Sequence, residues 1–475
     1  MQILHDSPRS TRIKSLKQTI GQKLVMKLGQ KSFYLVIFAI SAAVSPAQAE
    51  VDGSFGYNTA NYLSPVGSSA KNVFSTLNLD LTSATRGKYL EAGLDGQFSV
   101  GVQCPDCNSV EFKQVYMGSP KSAGPVQVRA GRVQEHWSEL DEEWRLGIFQ
   151  PRFVYDNLKP ENVGLSGVFA DVELPGFSLT AFGSPGFIPD RGLPINFQNG
   201  GVASVDPFFH TPISEVVFED RTTPIQYLLK RPPLQELLLQ PGGGIKARVG
   251  YERGFWAQAA YAYKPINQIL LAYNGLYNLS FEVADADVFP RVLYHHAATV
   301  ESGFKSRYFS GWISMIREVP VRDETPAIWT TQEITPSLAV SPSFEIRMAD
   351  SAGAPRMSVS FLRQWGGNGN DQGPQAVDGG TAFNLRYPFQ SAIQVHASTP
   401  AYGSLGRHLT LSSDLLFDLQ HASNIVSGAI RYRPGPRWTM SLSGDVLNSN
   451  RPGGTDFIAR NRANDRYQGG IAYEF

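Results

Sequence analysis

The sequence predicts an all-β fold: a transmembrane, antiparallel, up-and-down β-barrel of about 18 strands, with about 16 or 20 strands as alternatives. Three observations favour this fold. Apolar and polar residues alternate with period two almost wherever the sequence is regular, which is typical of strands with one apolar and one polar face. The sequence contains no apolar run as long as a membrane-spanning helix needs. Short and long connections alternate along the chain, as they do in membrane barrels.

The stretch from Tyr89 to Val100 shows the alternation most clearly. Leucine, alanine, glycine, phenylalanine and valine take its even positions, whereas Glu91, Asp95 and Gln97 lie on the odd ones. One face therefore suits hydrocarbon and the other suits water. Turn residues divide the chain into 18 such strands, predicted at 51–61, 71–85, 87–101, 108–119, 125–135, 164–174, 176–184, 243–252, 254–263, 292–304, 307–318, 338–349, 354–365, 381–397, 405–419, 423–433, 437–449 and 462–475.

The connections between these strands sort by parity into two classes. The exceptions are a break near 421–422 that is short for its class and connections near 120–124 and 398–404 that are slightly long for theirs. Tight turns are predicted near 86, 175–176, 253–254, 305–306, 351–354 and 434–436. They alternate with longer connections at 62–70, 102–107, 136–163, 185–242, 264–291, 319–337, 366–380 and 450–461. A soluble β-sandwich has no reason to sort its loops in this way, whereas a membrane barrel has turns at one end and long loops at the other.

The segment 1–49 predicts a signal peptide. Seven of the 42 basic residues and one of the 42 acidic residues lie in it, so its removal leaves 35 basic and 41 acidic residues. A basic stretch precedes an apolar run from Phe33 to Val44, and Ala47-Gln48-Ala49 supplies the small-residue pattern that signal peptidases cleave. We expect cleavage before Glu50, with Met26 as an alternative start. A signal anchor is the other interpretation, but the apolar run is too short to span a bilayer.

The C-terminus predicts the closing strand of the barrel domain, 50–475. Tyr467, Ile471, Tyr473 and the final Phe475 alternate with polar or small residues. This pattern resembles the last strand of Gram-negative outer-membrane β-barrels, which ends in phenylalanine. The resemblance implies a bacterial outer-membrane location and recognition by the barrel assembly machinery. The physical need is that the last strand pairs with the first, because closure removes both sheet edges.

Composition and motifs argue against several other functions. A formal net charge of zero offers no basic field for nucleic acid. The sequence lacks a Gly-x-Ser-x-Gly nucleophile elbow, a His-Glu-x-x-His zinc motif and a phosphate-binding glycine loop. We therefore expect no enzymatic activity, no cofactor and no bound metal. His295 and His296 are adjacent, and on a strand their rings point to opposite faces, so we expect one in the lumen and the other at the membrane interface.

Cys104 and Cys107 are the two cysteines of the chain. In an exported protein they lie in an oxidising compartment, where a pair this close can form a small disulfide loop. Free thiols and a redox or metal site are the alternatives. A redox motif usually needs a helix N-terminus after a strand, and the flanks here are strand-like on both sides.

Two long connections differ from the rest in composition. In 136–163, Ser138 followed by Asp141 predicts a short capped helix. Its acidic residues suit a divalent cation, or a cation bridge to lipopolysaccharide, but we favour a solvated helix face. The connection 185–242 holds many prolines and many large apolar residues, which argues against disorder. We expect it to fold into the lumen and narrow it, with an external cap as the alternative.

These features predict a porin-like channel for passive diffusion of small hydrophilic solutes, constricted by 185–242. The alternative is a non-conducting structural or receptor barrel, a subunit of an envelope complex. The expected partners are outer-membrane lipid, lipopolysaccharide and solutes, and the pattern does not predict an oligomeric state. Charges of both signs on the lumen face predict a transverse field. Alternation assigns the following candidates to the lumen: Glu91, Asp95, Arg129, Lys246, Arg248, Arg386, Asp414, Asp418, Arg431, Arg433 and Asp445.

Overall fold

Eighteen antiparallel strands close into a single barrel in the computed structural model. Each strand pairs with its neighbours along the chain, and the last strand pairs with the first. The fold class and the strand number predicted from the sequence are therefore confirmed. The strands are β1 Ala49–Val66, β2 Lys71–Arg86, β3 Glu91–Val102, β4 Ser109–Gly118, β5 Val126–Val133, β6 Leu165–Leu174, β7 Phe177–Ser184, β8 Gly242–Gly250, β9 Gly254–Pro265, β10 Tyr294–Lys305, β11 Phe309–Pro320, β12 Ser337–Arg347, β13 Arg356–Gly366, β14 Ser391–Pro400, β15 Leu409–Asp418, β16 Ser423–Gly435, β17 Trp438–Asn448 and β18 Arg466–Glu474.

Most of the chain after residue 48 is described. The described residues are 49–66, 71–102, 104–209, 211–218, 220–278, 283–321, 329–332, 334–349, 353–367, 371–372, 386–401, 406, 408–451, 454 and 456–475. The predicted signal peptide falls almost entirely outside these residues, so it stays a prediction. Within them, no helix combines the length and apolar character needed to cross a bilayer.

The remaining elements all lie in connections between barrel strands. The α-helices are α1 Glu139–Trp144, α2 Leu234–Leu238 and α3 Phe457–Arg460. Single 3-10 turns occupy Pro105–Cys107, Lys121–Ala123 and Arg462–Asn464. Short strands outside the barrel are Arg152–Val154, Glu161–Asn162, Arg191–Gly192, Ile195–Gln198, Gly201–Ser204, Glu215–Phe218, Arg221–Leu229, Leu270–Asn278, Val283–Arg291, Thr330–Gln332 and Asp371–Gln372.

The largest difference between a predicted and an observed strand occurs at β14. The sequence predicts this strand at 381–397, whereas it spans Ser391–Pro400. Pro388 lacks an N–H group for the sheet ladder, so regular pairing starts only after it. Arg386, predicted as a strand residue facing the lumen, therefore lies in the connection that precedes β14.

The two ends of the barrel differ as the sequence predicts. One end has connections of a few residues, such as 175–176, 251–253 and 436–437. The other end carries 134–164, 185–241 and 266–293 among its connections. Both termini of the described chain lie at the short-turn end, which corresponds to the periplasmic side of outer-membrane barrels.

The outer surface of the barrel is apolar along the middle of the strands. Phe55, Val300, Ile313, Phe344 and Leu442 each leave half or more of their side chain exposed. Soluble monomers rarely expose a continuous apolar surface of this kind, because water must then solvate it. A lipid bilayer is the environment that suits it.

The barrel closes through a regular ladder between β1 and β18. The register runs from Ser54 opposite Glu474 to Tyr62 opposite Arg466. Beyond it, the Phe475 N–H donates to the Gly53 carbonyl oxygen at 2.9 Å, and the Gly53 N–H donates back at 3.1 Å. The terminal residue is therefore part of the seam.

We expect Phe475→Asp to impair assembly far more than Glu474→Lys. Phe475 has an exposed side chain on the outer face, whereas Glu474 accepts a hydrogen bond from Thr439 inside the barrel. A charge at position 475 would enter the lipid interface, while a charge at 474 stays in water. The measurement is the yield of heat-resistant barrel in isolated outer membranes. Equal yields from the two variants would show that the outward side chain of Phe475 is not needed.

Candidate functional site

The lumen is narrowed by the connection between β5 and β6, residues 134–164, here called the inward segment. It enters the barrel and reaches the opposite wall at mid-height. The Ser138 hydroxyl donates to Glu301 of β10 at 2.6 Å, and the Trp144 indole N–H donates to Ser341 of β12 at 3.0 Å. Both acceptors lie in the middle of their strands. The segment therefore crosses the lumen and does not remain outside it.

Helix α1 gives the inward segment its shape. Ser138 caps the helix by accepting the N–H of Asp141, as the sequence predicts. Arg145 ends it in the left-handed region, with φ of 50°. The buried Asp141 carboxylate then accepts the N–H groups of Ile148 and Phe149, both at 2.9 Å. Burial raises the pKa of this carboxyl although the two N–H donors oppose the shift.

An apolar core joins the inward segment to one half of the barrel wall. Trp137, Leu140, Ile148 and Phe149 are almost completely buried, and Trp137 stacks on Phe149 with ring centroids 5.8 Å apart. The wall residues that face this core on β9, β10, β12 and β14 are small, which leaves room for the large side chains of the segment. These wall residues are Ala260, Ala262, Ala297, Ala339 and Ala392.

Polar side chains of α1 also bind the wall. The Glu143 carboxylate accepts hydrogen bonds from Ser343 at 2.7 Å and from Ser360. Burial raises the pKa of Glu143, and the two hydroxyl donors only partly offset it. The prediction that α1 presents a solvated acidic face is therefore wrong. The sequence contained the opposing signal, because Trp137, Leu140 and Trp144 follow helical spacing on one face.

Ion pairs hold the inward segment at both ends. Near its start, the Lys246 ammonium lies 3.0 Å from Glu135, which also pairs with Arg129. Burial alone would raise the pKa of the Glu135 carboxyl, but these two cations outweigh it and hold the pKa below its usual range. Two strongly held cations thus fix the point at which the chain leaves β5.

A second network fixes the other end of the segment to β17 and β18. The Arg466 guanidinium donates to Asp156 of the segment at 2.6 Å and to Asp445 of β17 at 2.8 Å. The Lys159 ammonium lies 3.0 Å from the same Asp445 carboxylate. Acidic and basic side chains therefore join this end of the inward segment to the barrel wall.

The connection 185–241, here called the outer segment, lies over the long-loop end of the barrel. Arg191 Nε donates to Glu111, near the outer end of β4, at 2.9 Å. Its strand at Arg221–Leu229 pairs in parallel with Val283–Arg291 of the next long connection. The Asn464 amide donates to the Pro207 carbonyl oxygen at 2.9 Å. The outer segment thus covers the opening, as the alternative of an external cap predicts, and the narrowing of the lumen that we predicted for it belongs to the inward segment.

The apolar residues of the outer segment are divided between the interior and the surface. Phe187 and Phe208 are buried, with less than a tenth of their side chains exposed. In contrast, Ile213, Val217 and Leu234 each leave about two thirds or more exposed. The large apolar residues of the outermost part therefore do not pack into the lumen, because that part lies above the barrel wall.

Asp206 joins the outer segment to the inward segment through its carboxylate. Its carboxylate accepts the Phe208 N–H at 2.8 Å and the Asn157 amide at 3.1 Å, and burial raises its pKa to about 6. A raised carboxyl pKa adds stability that is fully present at low pH and is lost as the pH rises through about 6. We expect the outer segment to resist trypsin better at pH 5 than at pH 7.5 when its cleavage rate is divided by that of the denatured protein at the same pH. The two pH values lie about one unit or more on either side of that pKa.

Asp206→Asn is the matched control for this pH response. It keeps the side-chain shape and an amide oxygen acceptor but cannot ionise between the two pH values. Its protection should therefore be the same at both. A pH response that persists in Asp206→Asn would assign the effect to another group.

A cavity lies in the lumen between the inward segment and the wall formed by β17, β18, β1, β2 and β3. It measures about 300 Å³ and is open to solvent. Asn78, Gln97 and Ser443 line it from the wall, and Tyr155 and Lys159 line it from the inward segment. One side of the lumen is thus filled with an apolar core, and the other side holds a cavity open to solvent.

The structure places the strand-borne lumen candidates on the inner face. Some lie at the open passage or the short-turn mouth, where Arg431 and Arg433 are exposed to the interior water. Others are paired with a histidine: the buried Asp418 binds His421 at 2.8 Å, and the partly exposed Asp414 binds His396 at 2.6 Å. Strand pairing places the following candidates on the inner face of the barrel: Glu91, Asp95, Arg129, Lys246, Arg248, Asp414, Asp418, Arg431, Arg433 and Asp445.

The cations of β8 bind other residues and do not line one side of an open pore, as an electric field across the pore would require. Lys246 binds Glu135 of the inward segment, and the Arg248 guanidinium lies over the Trp256 ring, 4.4 Å from its centroid. Arg386 is likewise buried, and its Nε donates to Glu318 of β11 at 3.0 Å. These three cations, which we expected to line an open pore, instead lie in the packed part of the lumen.

The histidine pair behaves as the strand geometry predicts. His295 is fully buried against Glu318 inside the barrel, whereas His296 is outward and its Nδ1 lies 2.7 Å from the Tyr261 hydroxyl. Cys104 and Cys107 are joined by a disulfide at the long-loop end. It closes the turn between β3 and β4 beneath the outer segment, and the Cys107 carbonyl oxygen accepts the Tyr155 hydroxyl at 3.2 Å.

One group of side chains has metal-ligand character. Within the described residues, Asp418, His421 and Asp456 bring one potential ligand atom each within 4.8 Å of one another. Asp418 also accepts the N–H groups of Gln420 and His421, and Asp456 accepts the N–H of Ala459 as the cap of α3. These hydrogen bonds indicate that the three side chains stabilise the loop connections in which they lie.

No protein-family model and no curated protein matches the sequence. Among solved structures, the chain is similar to OccK9 (OpdG) of Pseudomonas aeruginosa, with a TM-score of 0.47 and 10% identity over 90% of this chain and 98% of that chain. It is also similar to a BenF-like porin from Pseudomonas fluorescens, with a TM-score of 0.46 and 10% identity over 91% and 98% of the two chains. A mutant of the Rh. blastica porin gives a TM-score of 0.40 and 8% identity over 90% and 100%. These likenesses concern the fold.

Proposed function

We propose that this protein is a channel of the bacterial outer membrane that lets small hydrophilic solutes diffuse passively through its lumen. The observation that carries the proposal is the solvent-open cavity between the inward segment and the wall from β17 to β3. A barrel built only as a scaffold gains nothing from leaving such a cavity in its lumen. A diffusion channel needs such a passage, together with a fixed element that limits its width.

The charges of the passage support transport of small polar solutes without strong selection for either sign. Arg466 and Lys159 are balanced by Asp156 and Asp445, and Lys113 lies 2.6 Å from Glu161. Paired charges keep a passage hydrated but do not build up one sign of potential. The channel should therefore conduct both small cations and small anions.

The membrane environment follows from the outer face. Apolar side chains there suit lipid tails, and aromatic residues such as Trp438 and Tyr473 near the short-turn end suit the interface. The proposed location implies contact with outer-membrane lipid and lipopolysaccharide. It also implies insertion by the barrel assembly machinery, for which the ending at Phe475 is the proposed signal.

The proposal is tested by single-channel recording of the purified full-length protein in planar bilayers. We expect discrete current steps and a ratio of cation to anion permeability close to unity. The matched variant is Lys159→Gln, which leaves Asp445 paired with Arg466 alone and should shift the permeability towards cations. Correctly folded protein that gives no current steps would reject the proposal and favour a non-conducting receptor or scaffold barrel.

A further inference from the structure

We propose that the open half of the lumen is a binding site for neutral, hydroxylated solutes of the sugar or polyol class. This inference rests on the proposed channel function and adds a substrate class to it. The cavity combines aromatic rings, uncharged hydrogen-bonding groups and charges that are already paired. Those three features together match the surface of a carbohydrate better than that of an organic ion.

Aromatic rings line the cavity from both of its sides. Tyr62 and Phe74 belong to the wall, on β1 and β2, with ring centroids 5.6 Å apart. Phe153 and Tyr155 belong to the inward segment, with ring centroids 6.0 Å apart. A sugar ring has flat apolar faces formed by its C–H groups, and such faces pack on aromatic rings. Two ring pairs facing one cavity offer that packing to both faces of a solute.

Uncharged polar side chains occupy the wall beside these rings. Amide and hydroxyl groups can both donate and accept, as sugar hydroxyls do, so they exchange hydrogen bonds with a polyol in any orientation. They come from five strands and form one patch along the passage. These side chains are Asn58, Asn78, Gln97, Ser99, Ser443 and Gln468.

The charged side chains that line the cavity are already neutralised by protein partners. Arg466 is bound to Asp445 and Asp156, Lys159 to Asp445, and Glu161 to Lys113. A carboxylate or an amine would have to displace one of these internal partners, at the cost of leaving a partly buried charge unpaired. A neutral solute meets no such competition, so the site favours it over an ion of the same size.

The test compares glucose, glucuronate and glucosamine as blockers of single-channel current through the unaltered protein. The three solutes share the six-membered sugar ring, have similar size and differ mainly in charge. We expect glucose to reduce the current in a saturable manner, with a half-blocking concentration several-fold lower than that of either ion. Block by glucuronate or glucosamine at lower concentration than glucose would overturn the inference and assign the site to that charge.

Phe74→Leu tests the aromatic contribution. Losing one stacking ring should raise the half-blocking concentration of glucose about fivefold. Phe98→Leu is the control, because Phe98 lies on the neighbouring strand but faces the lipid with Phe112. It should leave the block unchanged, and both variants should keep heat-resistant migration on gels.

The remaining outcomes separate this inference from the proposed function. If the protein conducts but glucose gives no saturable block, the channel function stands and the binding site is rejected. If Phe74→Leu and Phe98→Leu change the block equally, the aromatic basis of the site is rejected. If the folded protein does not conduct at all, the proposed function fails and this inference fails with it.

Discussion

Leu442→Arg should lower the stability of the barrel by about 2–4 kcal/mol, the cost of an arginine near the middle of the bilayer. Leu442 lies at the centre of β17 on the outer face, and more than half of its side chain is exposed. The substitution places a guanidinium in hydrocarbon, where it finds no partner. The measurement is the urea midpoint of protein refolded into lipid vesicles, followed by tryptophan fluorescence.

Ser441→Arg is the matched control, because it places the same charge one residue earlier. Ser441 lines the open cavity, so an arginine at this position faces water, whereas an arginine at 442 faces lipid. The variant should keep the stability of the unaltered protein and shift the permeability ratio towards anions. If Ser441→Arg proved the more destabilising of the two, the assignment of faces along β17 would be inverted.

Asp141→Ala should release the inward segment while leaving the barrel closed. It leaves the N–H groups of Ile148 and Phe149 buried without an acceptor, at a cost of about 1–3 kcal/mol for each group. The same stretch of chain also contributes buried side chains to the apolar core between the inward segment and the barrel wall. We expect larger and more fluctuating single-channel currents, together with trypsin cleavage at Arg145 or Arg152 in the otherwise heat-resistant protein.

Glu139→Ala on the same helix serves as the control for that variant. The Glu139 side chain is partly exposed, and its ionic contact is His136 at 3.3 Å. Its removal should change neither the current noise nor the trypsin pattern. Equal effects of the two substitutions would mean that loss of helical charge, and not loss of the two N–H acceptors, loosens the segment.

The strands could be predicted from the sequence because a membrane barrel imposes the same alternation on every strand. Leu94 and Asp95 are one example: the apolar Leu94 faces lipid on the outside, and the charged Asp95 faces water on the inside. The alternation within each strand is therefore enough to predict the overall fold. The pairing of the last strand with the first could also be predicted, because closure removes both sheet edges.

The interior arrangement could not be predicted in the same way. Which of two long connections enters the lumen depends on partners that are far apart in sequence, such as Trp144 with Ser341 or Asp156 with Arg466. Two local signals favoured the inward segment: the helical spacing of its aromatic residues, and the alanines and serines at inward positions of β9 to β14. Small inward residues opposite a loop rich in tryptophan indicate that the loop packs against them.

The central claim is that solutes pass on the side of β17 to β3 and that the side of β9 to β14 is closed by the inward segment. Single cysteines test it directly, because the two native cysteines are joined in the disulfide. Ser443→Cys lines the open cavity, and Ala339→Cys lies beneath the inward segment with 2% of its surface exposed. A bulky, water-soluble methanethiosulfonate reagent is added during single-channel recording. The current should fall in a step for Ser443→Cys and stay constant for Ala339→Cys. A current step at Ala339→Cys with none at Ser443→Cys would contradict the account.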